Sequence, residues 1–160
     1  RCLEKMKITT SRQQPTSRQI ALTAGDLRSL PPEKLKQVLS ELGQNKAEEL
    51  RYLWPFWARQ EQLEPEGDWN IWIALAGRGW GKTRAGVEWV REQVKSGKKR
   101  IAAVAPTYSD IRRVMVEGES GFLNVCWKGD KTHRGGKMGF PVWSPTNRTL
   151  TWENGAKVEF

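Results

Sequence analysis

The residues whose types and spacing best fit a chemical role lie in the stretch AGRGWGKT, residues 76–83. Its end matches the phosphate-binding pattern G-x-x-x-x-G-K-[ST], although Ala76 stands where that pattern has its first glycine. Glycines let a loop turn several N–H groups toward one point, and a helix that begins there adds the positive end of its dipole. Lys82 then reaches the β- and γ-phosphates, and the Thr83 hydroxyl holds Mg²⁺. The pattern predicts an ATP- and Mg²⁺-binding loop that consists of Gly77, Arg78, Gly79, Trp80, Gly81, Lys82 and Thr83.

Two side chains inside this loop have alternative interpretations. The Arg78 guanidinium either folds over the γ-phosphate and stabilises the charge of the transition state, as an arginine finger does, or it faces solvent or a neighbouring acid. Trp80 either shields a nucleotide or packs against a neighbouring element. We predict Arg78 and Lys82 as the catalytic residues.

The segments around the loop predict the elements that position it. Residues 70–76 are a continuous apolar run typical of a strand that is buried on both faces. Residues 83–94 carry apolar side chains at helical spacing, and residues 101–105 predict a second buried strand. Strand, glycine-rich loop, helix and strand follow in the order of a βαβ unit. The predicted fold class is α/β, a P-loop NTPase with a parallel-sheet βαβ core that is incomplete in this chain.

The rest of the chain predicts three regions. Residues 1–30 are polar and basic and predict a flexible arm. Residues 31–54 predict a helical segment that begins at the proline pair 31–32, is interrupted near Gly43 and ends before Pro55. Residues 55–160 predict the N-terminal part of an ATPase domain.

Within that last region, the sequence also predicts the elements that follow the second strand. Ser109 or Asp110 is expected to cap a helix that runs to Val116, and residues 127–147 predict a loop. Asn154-Gly155 lies between two β-prone runs and predicts a C-terminal β-hairpin with a type I′ turn.

Composition and charge limit the function classes. The chain has 160 residues with a net charge of +9, which suits a polyanionic partner. Basic residues gather near the start, over residues 95–100 and over residues 128–137, a spread that predicts a diffuse field instead of a base-reading surface. Cys2 and Cys126 form no CxxC pair, so neither a zinc site nor a disulfide is expected. The expected compartment is reduced and intracellular. His133 is the only histidine, which argues against Ser/His or Cys/His catalysis.

From about Tyr52 to Phe160 the sequence resembles the N-terminal ATPase region of the large terminase subunit, the DNA-packaging motor of tailed bacteriophages. The family loop R-x-x-G-K-[ST] matches residues 78–83. The upstream stretch WARQEQLEPEGDW resembles the family segment that meets adenine, which implies adenine contacts for Gln62 first and Gln60 second. The more specific matches are VAPTYSDIRRVMVEGESG at residues 104–121 and LTWENGAKVEF at residues 150–160.

The resemblance implies ATP hydrolysis coupled to translocation of double-stranded DNA into a procapsid in the host bacterial cytoplasm, with no membrane. It implies a ring of identical subunits docked on a portal protein and a small terminase partner. It also implies a nuclease domain and an apolar strand that ends in Asp-Glu, and neither is found in these 160 residues. We therefore expect a truncated chain that binds phosphate but has little or no ATPase activity by itself.

Two alternatives remain open at this stage. The pattern A-x-x-G-x-G-K-T also fits the first motif of superfamily 2 helicases, which would make the chain a helicase-like translocase. Arg78 and the EGESG stretch at residues 117–121 favour the terminase interpretation. The other alternative is a non-catalytic remnant of a prophage gene, which the abrupt end at Phe160 favours.

Overall fold

A computed structural model describes residues 23–160, with the side chains of residue 39 and residues 41–46 excepted. Most of the predicted basic arm, residues 1–22, lies outside the described residues. The chain divides into two compact units, Arg1–Trp80 and Gly81–Phe160, which we call the first and second unit.

The first unit begins with a short helix where the sequence predicts the end of a flexible arm. Helix α1 spans Ala24–Arg28 and is capped by Thr23. The Thr23 hydroxyl accepts from the Asp26 N–H at 3.2 Å, and the Asp26 carboxylate accepts from the Thr23 N–H at 2.8 Å. This reciprocal cap satisfies two N–H groups that a free helix end leaves open, so the prediction of an arm over residues 1–30 is wrong at this end.

Helix α2 spans Pro32–Arg51 without a break. The interruption that we predicted near Gly43 is therefore wrong, because one internal glycine costs only about 1 kcal/mol and a long helix absorbs it. Helix α3, Trp54–Trp57, has Pro55 in its first turn, where a missing N–H costs nothing. Pro55 thus helps to start a helix, whereas we expected it to end one. A 3₁₀ turn follows at Gln60–Gln62.

The buried strand predicted over residues 70–76 is wrong. Every strand among the described residues lies between Arg100 and Glu159, in one four-stranded sheet. Ile71, Ile73 and Leu75 are 62%, 54% and 77% exposed. A continuous apolar run becomes a buried strand only where neighbouring strands take up its backbone groups and a second layer covers its side chains. The run has neither here, so the predicted βαβ unit lacks its first strand.

The second unit begins with helix α4, Lys82–Lys95, which confirms the helix predicted over residues 83–94. Ser96 is the C-cap residue of the helix, and Gly97 follows with a φ of +100°, a conformation that favours glycine. Strand β1 then covers Arg100–Ala102. It is shorter than predicted and is not buried on both faces, since Val104, which follows it, is 88% exposed.

The next segment is helical, but its cap differs from the prediction. Helix α5, Tyr108–Asp110, continues directly into a π-helical turn over Ile111–Val116. The cap is Thr107, whose hydroxyl accepts from the Asp110 N–H at 3.1 Å, and not Ser109 or Asp110 as predicted. A short helix, α6, follows at Phe122–Val125.

The sheet is mixed. Strand β2 is Val142–Ser144, strand β3 is Thr149–Thr151 and strand β4 is Lys157–Glu159. The spatial order is β1-β4-β3-β2, with β1 parallel to β4 and the other two pairs antiparallel. Strand β2 lies inside residues 127–147, which we predicted as loop, so that prediction is wrong over this part. The chain is therefore an α/β protein with a small mixed sheet.

The C-terminal hairpin is confirmed, but its turn is not type I′. Of the two turn residues only Gly155 has a positive φ, +82°. The Gly155 N–H donates to the Trp152 carbonyl at 2.9 Å, and the Trp152 N–H donates to the Ala156 carbonyl at 2.9 Å. This is a three-residue connection in which a tight turn ends in one left-handed residue.

The hydrophobic core lies in the second unit. The valines at positions 87, 90 and 94 place one face of α4 in the core, and Leu150 and Val158 contribute from paired strands of the sheet. The side chains buried in this core belong to Val87, Val90, Val94, Ile111, Val116, Phe122, Val125, Cys126, Met138, Leu150, Trp152, Ala156 and Val158.

Candidate functional site

The glycine-rich loop turns sharply just before α4. Gly79 has a φ of +80° and Gly81 a φ of +93°, both in the left-handed region. A side chain at Gly79 would meet nothing within 4 Å, so the backbone conformation and not space calls for glycine there. Gly77 and Arg78 are exposed in the approach to this turn. The two glycines thus serve a bend that most other residues adopt only with strain.

Two side chains of the first unit hold the carbonyl of Trp80. It accepts from Nη2 of Arg59 at 2.7 Å and from Nε2 of Gln62 at 2.8 Å. The Arg59 guanidinium also lies 5.9 Å from the centroid of the Trp80 ring. The Trp80 ring thus packs against Arg59, which fits the packing alternative for this tryptophan.

Fixing this carbonyl also fixes the next N–H. No described peptide bond is cis, and in a trans peptide the C=O and the following N–H are coplanar and point in opposite directions. The hydrogen bonds from Arg59 and Gln62 therefore set the direction of the Gly81 N–H, one of the donors that a phosphate loop would offer.

Gln62 is a buried residue with a structural task. Its side chain is only 7% exposed, and its Oε1 accepts from the Arg59 N–H at 3.0 Å. Its Nε2 donates to the Trp80 carbonyl. The Gln62 amide thus uses at least one of its two N–H donors and one of its two acceptor positions. Gln60, the second candidate for adenine contact, is exposed.

The start of α4 carries the other predicted phosphate ligands. Gly81 is the N-cap residue and makes no side-chain cap, and its carbonyl accepts from the Ala85 N–H at 2.9 Å. Lys82 is exposed in the first turn, and Thr83 beside it is half-buried. The first turn of a helix presents N–H groups that have no acceptor within the helix, and its dipole favours an anion there.

Farther along α4, a buried network of charged side chains connects the helix to Asp130. Glu88 Oε1 accepts from Nη2 of Arg84 at 2.7 Å, and Glu88 Oε2 accepts from Nη1 of Arg91 at 3.0 Å. Arg91 binds Asp130 through two parallel bonds, 2.6 Å from Nε and 2.5 Å from Nη2. Lys95 Nζ lies 3.3 Å from the same carboxylate. A bidentate pair of this kind fixes geometry as well as charge.

The network shifts several pKa values. Burial by itself would raise the pKa of Asp130, but the hydrogen bonds and charge of Arg91 outweigh burial, and the pKa lies below its usual 3.8. For Arg91, burial lowers the pKa, while the bond to Asp130 and the charge of Glu88 raise it by more. Burial raises the pKa of the neighbouring Cys126 thiol to about 12, so this cysteine is an unreactive thiol at neutral pH.

No metal-binding cluster is found in the described part of the chain. No group of three or more His, Cys, Asp or Glu side chains there is arranged to hold a metal ion. Asp130, the most deeply buried acid besides Glu88, is committed to Arg91. Thr83, the one predicted Mg²⁺ ligand, lies half-buried in the first turn of α4.

Sequence reasoning missed the roles of Arg59 and of the buried network. The i, i+3 spacing of Arg59 and Gln62 marks the local bond between them, but the contact with Trp80 joins residues 21 positions apart. Within α4, the i, i+4 pair Arg84 and Glu88 follows a recognised spacing. The partner Asp130 is 39 residues from Arg91 and leaves no sequence signal.

Comparisons of the chain with protein-family models, with curated proteins and with solved structures found no match. In residues 23–160, no helix combines the length and apolar character needed to cross a membrane.

Proposed function

We propose that this chain binds ATP and Mg²⁺ through residues 76–83 and is the ATP-binding portion of a DNA-packaging motor of the large terminase type. The observation that carries the proposal is the pair of left-handed glycines, Gly79 and Gly81, directly before a helix that begins at Lys82. A backbone that bends in this way at a helix start brings N–H donors and a positive dipole to one place. The sequence GKT at that place supplies the ammonium and hydroxyl groups that bind a nucleoside triphosphate and its Mg²⁺.

Three side chains of the loop have a role in this proposal. Lys82 would neutralise the β- and γ-phosphates, and Thr83 would hold Mg²⁺ through its hydroxyl. Mg²⁺ would supply charge neutralisation at the γ-phosphate. Arg78, exposed beside the turn, stabilises the charge that develops on the transferred phosphoryl group. Arg59 and Gln62 act before the nucleotide binds, because their hydrogen bonds orient the peptide between Trp80 and Gly81.

The motor assignment goes further than nucleotide binding and depends on the stretches at residues 104–121 and 150–160 that resemble terminases. In that assignment the chain works on double-stranded DNA, in a ring of identical subunits, with a portal protein and a small terminase subunit as partners in the host cytoplasm.

The test of nucleotide binding is Lys82→Ala. We expect the substitution to abolish Mg-ATP binding measured by titration calorimetry while the chain stays folded, because Lys82 is exposed. The matched control is Lys34→Ala, an exposed lysine in the first turns of α2, which removes the same charge elsewhere. Equal Mg-ATP affinity in wild type and Lys82→Ala would refute the proposal.

A further inference from the structure

Cations from three separate segments meet at one end of the second unit. The segments are the end of α4 with its following turn, the loop around residue 133, and the turn between β3 and β4. The His133 N–H donates to the Lys95 carbonyl at 3.0 Å, and the Lys157 N–H donates to the Lys99 carbonyl at 2.8 Å. Lys99 Nζ donates to the Asn154 carbonyl at 2.5 Å. Two groups of basic residues that are separate in the sequence therefore share one surface, which we call the basic surface: Lys98, Lys99, Lys131, Arg134, Lys137 and Lys157.

Most of this charge is not neutralised locally. All six side chains are exposed. Lys137 pairs with Glu153 at 2.8 Å, whereas Lys98, Lys131, Arg134 and Lys157 form no ion pair in the part of the chain that the structure describes. The loop that carries three of the six is closed by a bridge between Lys131 and Lys137, so these cations are held on a defined backbone. A surface of this kind attracts a polyanion.

The composition of the surface favours the phosphate backbone of duplex DNA over single strands and over a membrane surface. The exposed large apolar side chains of the second unit are Val104, Tyr108, Val114 and Val142, and none belongs to the basic surface. Binding of single strands relies on exposed aromatic rings that stack with bases. Binding to a membrane surface relies on apolar side chains beside the cations. Lysine and arginine alone contact phosphates without reading sequence.

The basic surface is far from the proposed nucleotide loop. Helix α4 has 14 residues, so its first turn and its last turn are about 20 Å apart. Arg100 and Lys157 are the first residues of the parallel strands β1 and β4, so the surface lies at the amino ends of these strands. Ligands of α/β sheets bind at the opposite, carboxyl ends.

We propose that the basic surface binds the phosphate backbone of duplex DNA. The basic surface would be the place where the DNA partner of the proposed function binds. This proposal is tested independently of ATP binding. It assigns part of the charge that the sequence predicted as a diffuse field to one surface.

The experiment compares two fourfold variants of the full chain. One carries Lys98→Gln, Lys131→Gln, Arg134→Gln and Lys157→Gln in the basic surface. The matched variant carries Arg28→Gln, Lys34→Gln, Lys36→Gln and Arg51→Gln, four exposed positions of α1 and α2. Both lose the same charge, so the effect of net charge is equal in the two. Binding of a fluorescent duplex is measured by anisotropy without nucleotide, from roughly 50 to 200 mM salt.

We expect the basic-surface variant to lose at least about tenfold in affinity at the lowest salt. The slope of log K against log salt should fall by about 0.9 for each phosphate contact removed. The matched variant should keep most of the affinity and most of the salt dependence. Equal losses in the two variants, no binding by wild type, or a preference of wild type for single-stranded RNA would each overturn the proposal.

Two further variants keep the result interpretable. The variant with Lys98→Arg, Lys131→Arg and Lys157→Arg retains the charge and should bind duplex DNA as wild type does. A loss of affinity in this variant would overturn phosphate contact as the cause. Lys82→Ala should retain full DNA affinity, and a loss in that variant would overturn the assignment of DNA to the basic surface. Circular dichroism confirms that each variant is folded.

Discussion

The carbonyl oxygen of Trp80 receives side-chain donors from Arg59 and Gln62 immediately before the chain enters α4. Two donors on one carbonyl restrict the rotation of the peptide unit that it belongs to. The loop thus enters the helix with at least one N–H direction fixed before any ligand arrives. Preorganisation of this kind lowers the entropy that a ligand loses on binding.

Gln62→Ala tests this role at the scale of one residue. The change removes two hydrogen bonds of a buried amide, which costs about 1–3 kcal/mol. Because the effect passes through the loop, we expect the affinities for ATP, GTP and inorganic triphosphate to fall together. Gln60→Ala, at an exposed position of the same 3₁₀ turn, should leave all three unchanged.

The competing role for Gln62 is direct contact with adenine. If Gln62→Ala weakens ATP binding alone and triphosphate binds as before, Gln62 reads the base and the positioning role is wrong. Calorimetric titration of the three ligands separates the two roles.

The chemistry of single residues was only partly predictable from the sequence. Gly79 and Gly81 were recognised because a local pattern marks a positive φ before a helix. The task of Arg59 was not, since it depends on a contact with a residue 21 positions away. Local patterns show which atoms a residue offers, whereas the fold decides which partner takes them.

At the scale of the element, two glycines show how backbone conformation sets the cost of a side chain. Gly86 lies within α4, and Gly155 ends the turn between β3 and β4 with a φ of +82°. An added Cβ would meet nothing within 4 Å at either position. The two sites therefore differ in backbone conformation and not in space.

Alanine at the two sites should have opposite effects on stability. We expect Gly86→Ala to raise the free energy of unfolding by up to about 1 kcal/mol, since alanine is the better helix former. We expect Gly155→Ala to lower it by about 1–2 kcal/mol, because a left-handed alanine is strained. Chemical denaturation measures both, and a loss of stability in Gly86→Ala or none in Gly155→Ala would contradict this account.

The sequence predicted the elements that depend on local patterns and missed those that depend on distant neighbours. Helix α4 and the β3–β4 hairpin carry strong local signals, the spacing of valines in one and Asn-Gly in the other, and both were found. The run at residues 70–76 has an equally strong apolar signal, but burial of a strand requires neighbours that no local pattern reveals. Strand β2 was missed because its three residues, Val142–Ser144, follow a long stretch rich in glycine and lysine.

At the scale of the whole molecule, the buried network of Glu88, Arg91 and Asp130 links stability to pH. The pKa of Asp130 lies below its usual 3.8 in the folded protein, because the bonds from Arg91 outweigh the effect of burial. The folded state therefore binds the Asp130 proton less tightly than the unfolded state does. The stability that this gives is present above the unfolded pKa and is lost as pH falls through the folded pKa.

We expect the wild-type protein to lose stability below about pH 4. Asp130→Asn should lower the free energy of unfolding by about 3 kcal/mol at neutral pH, because a buried charge loses its partner. The deficit should shrink in acid, where the wild type also loses the interaction. Urea unfolding across the pH range measures this, with Glu119→Gln as the control at an exposed acid. A deficit that stays constant with pH would show that Asp130 does not titrate as described.

The exposed run at residues 70–76 affects how the whole chain behaves in concentrated solution. It holds seven consecutive residues, Asn-Ile-Trp-Ile-Ala-Leu-Ala, with no charge and no proline. Asp68 and Arg78 lie close to its two ends and are its nearest charged neighbours in the sequence. Segments of this composition stack as strands between chains when they are accessible, and flanking charges only slow that process. With Ile71, Ile73 and Leu75 exposed, we expect this run to promote self-association as the concentration of the chain rises.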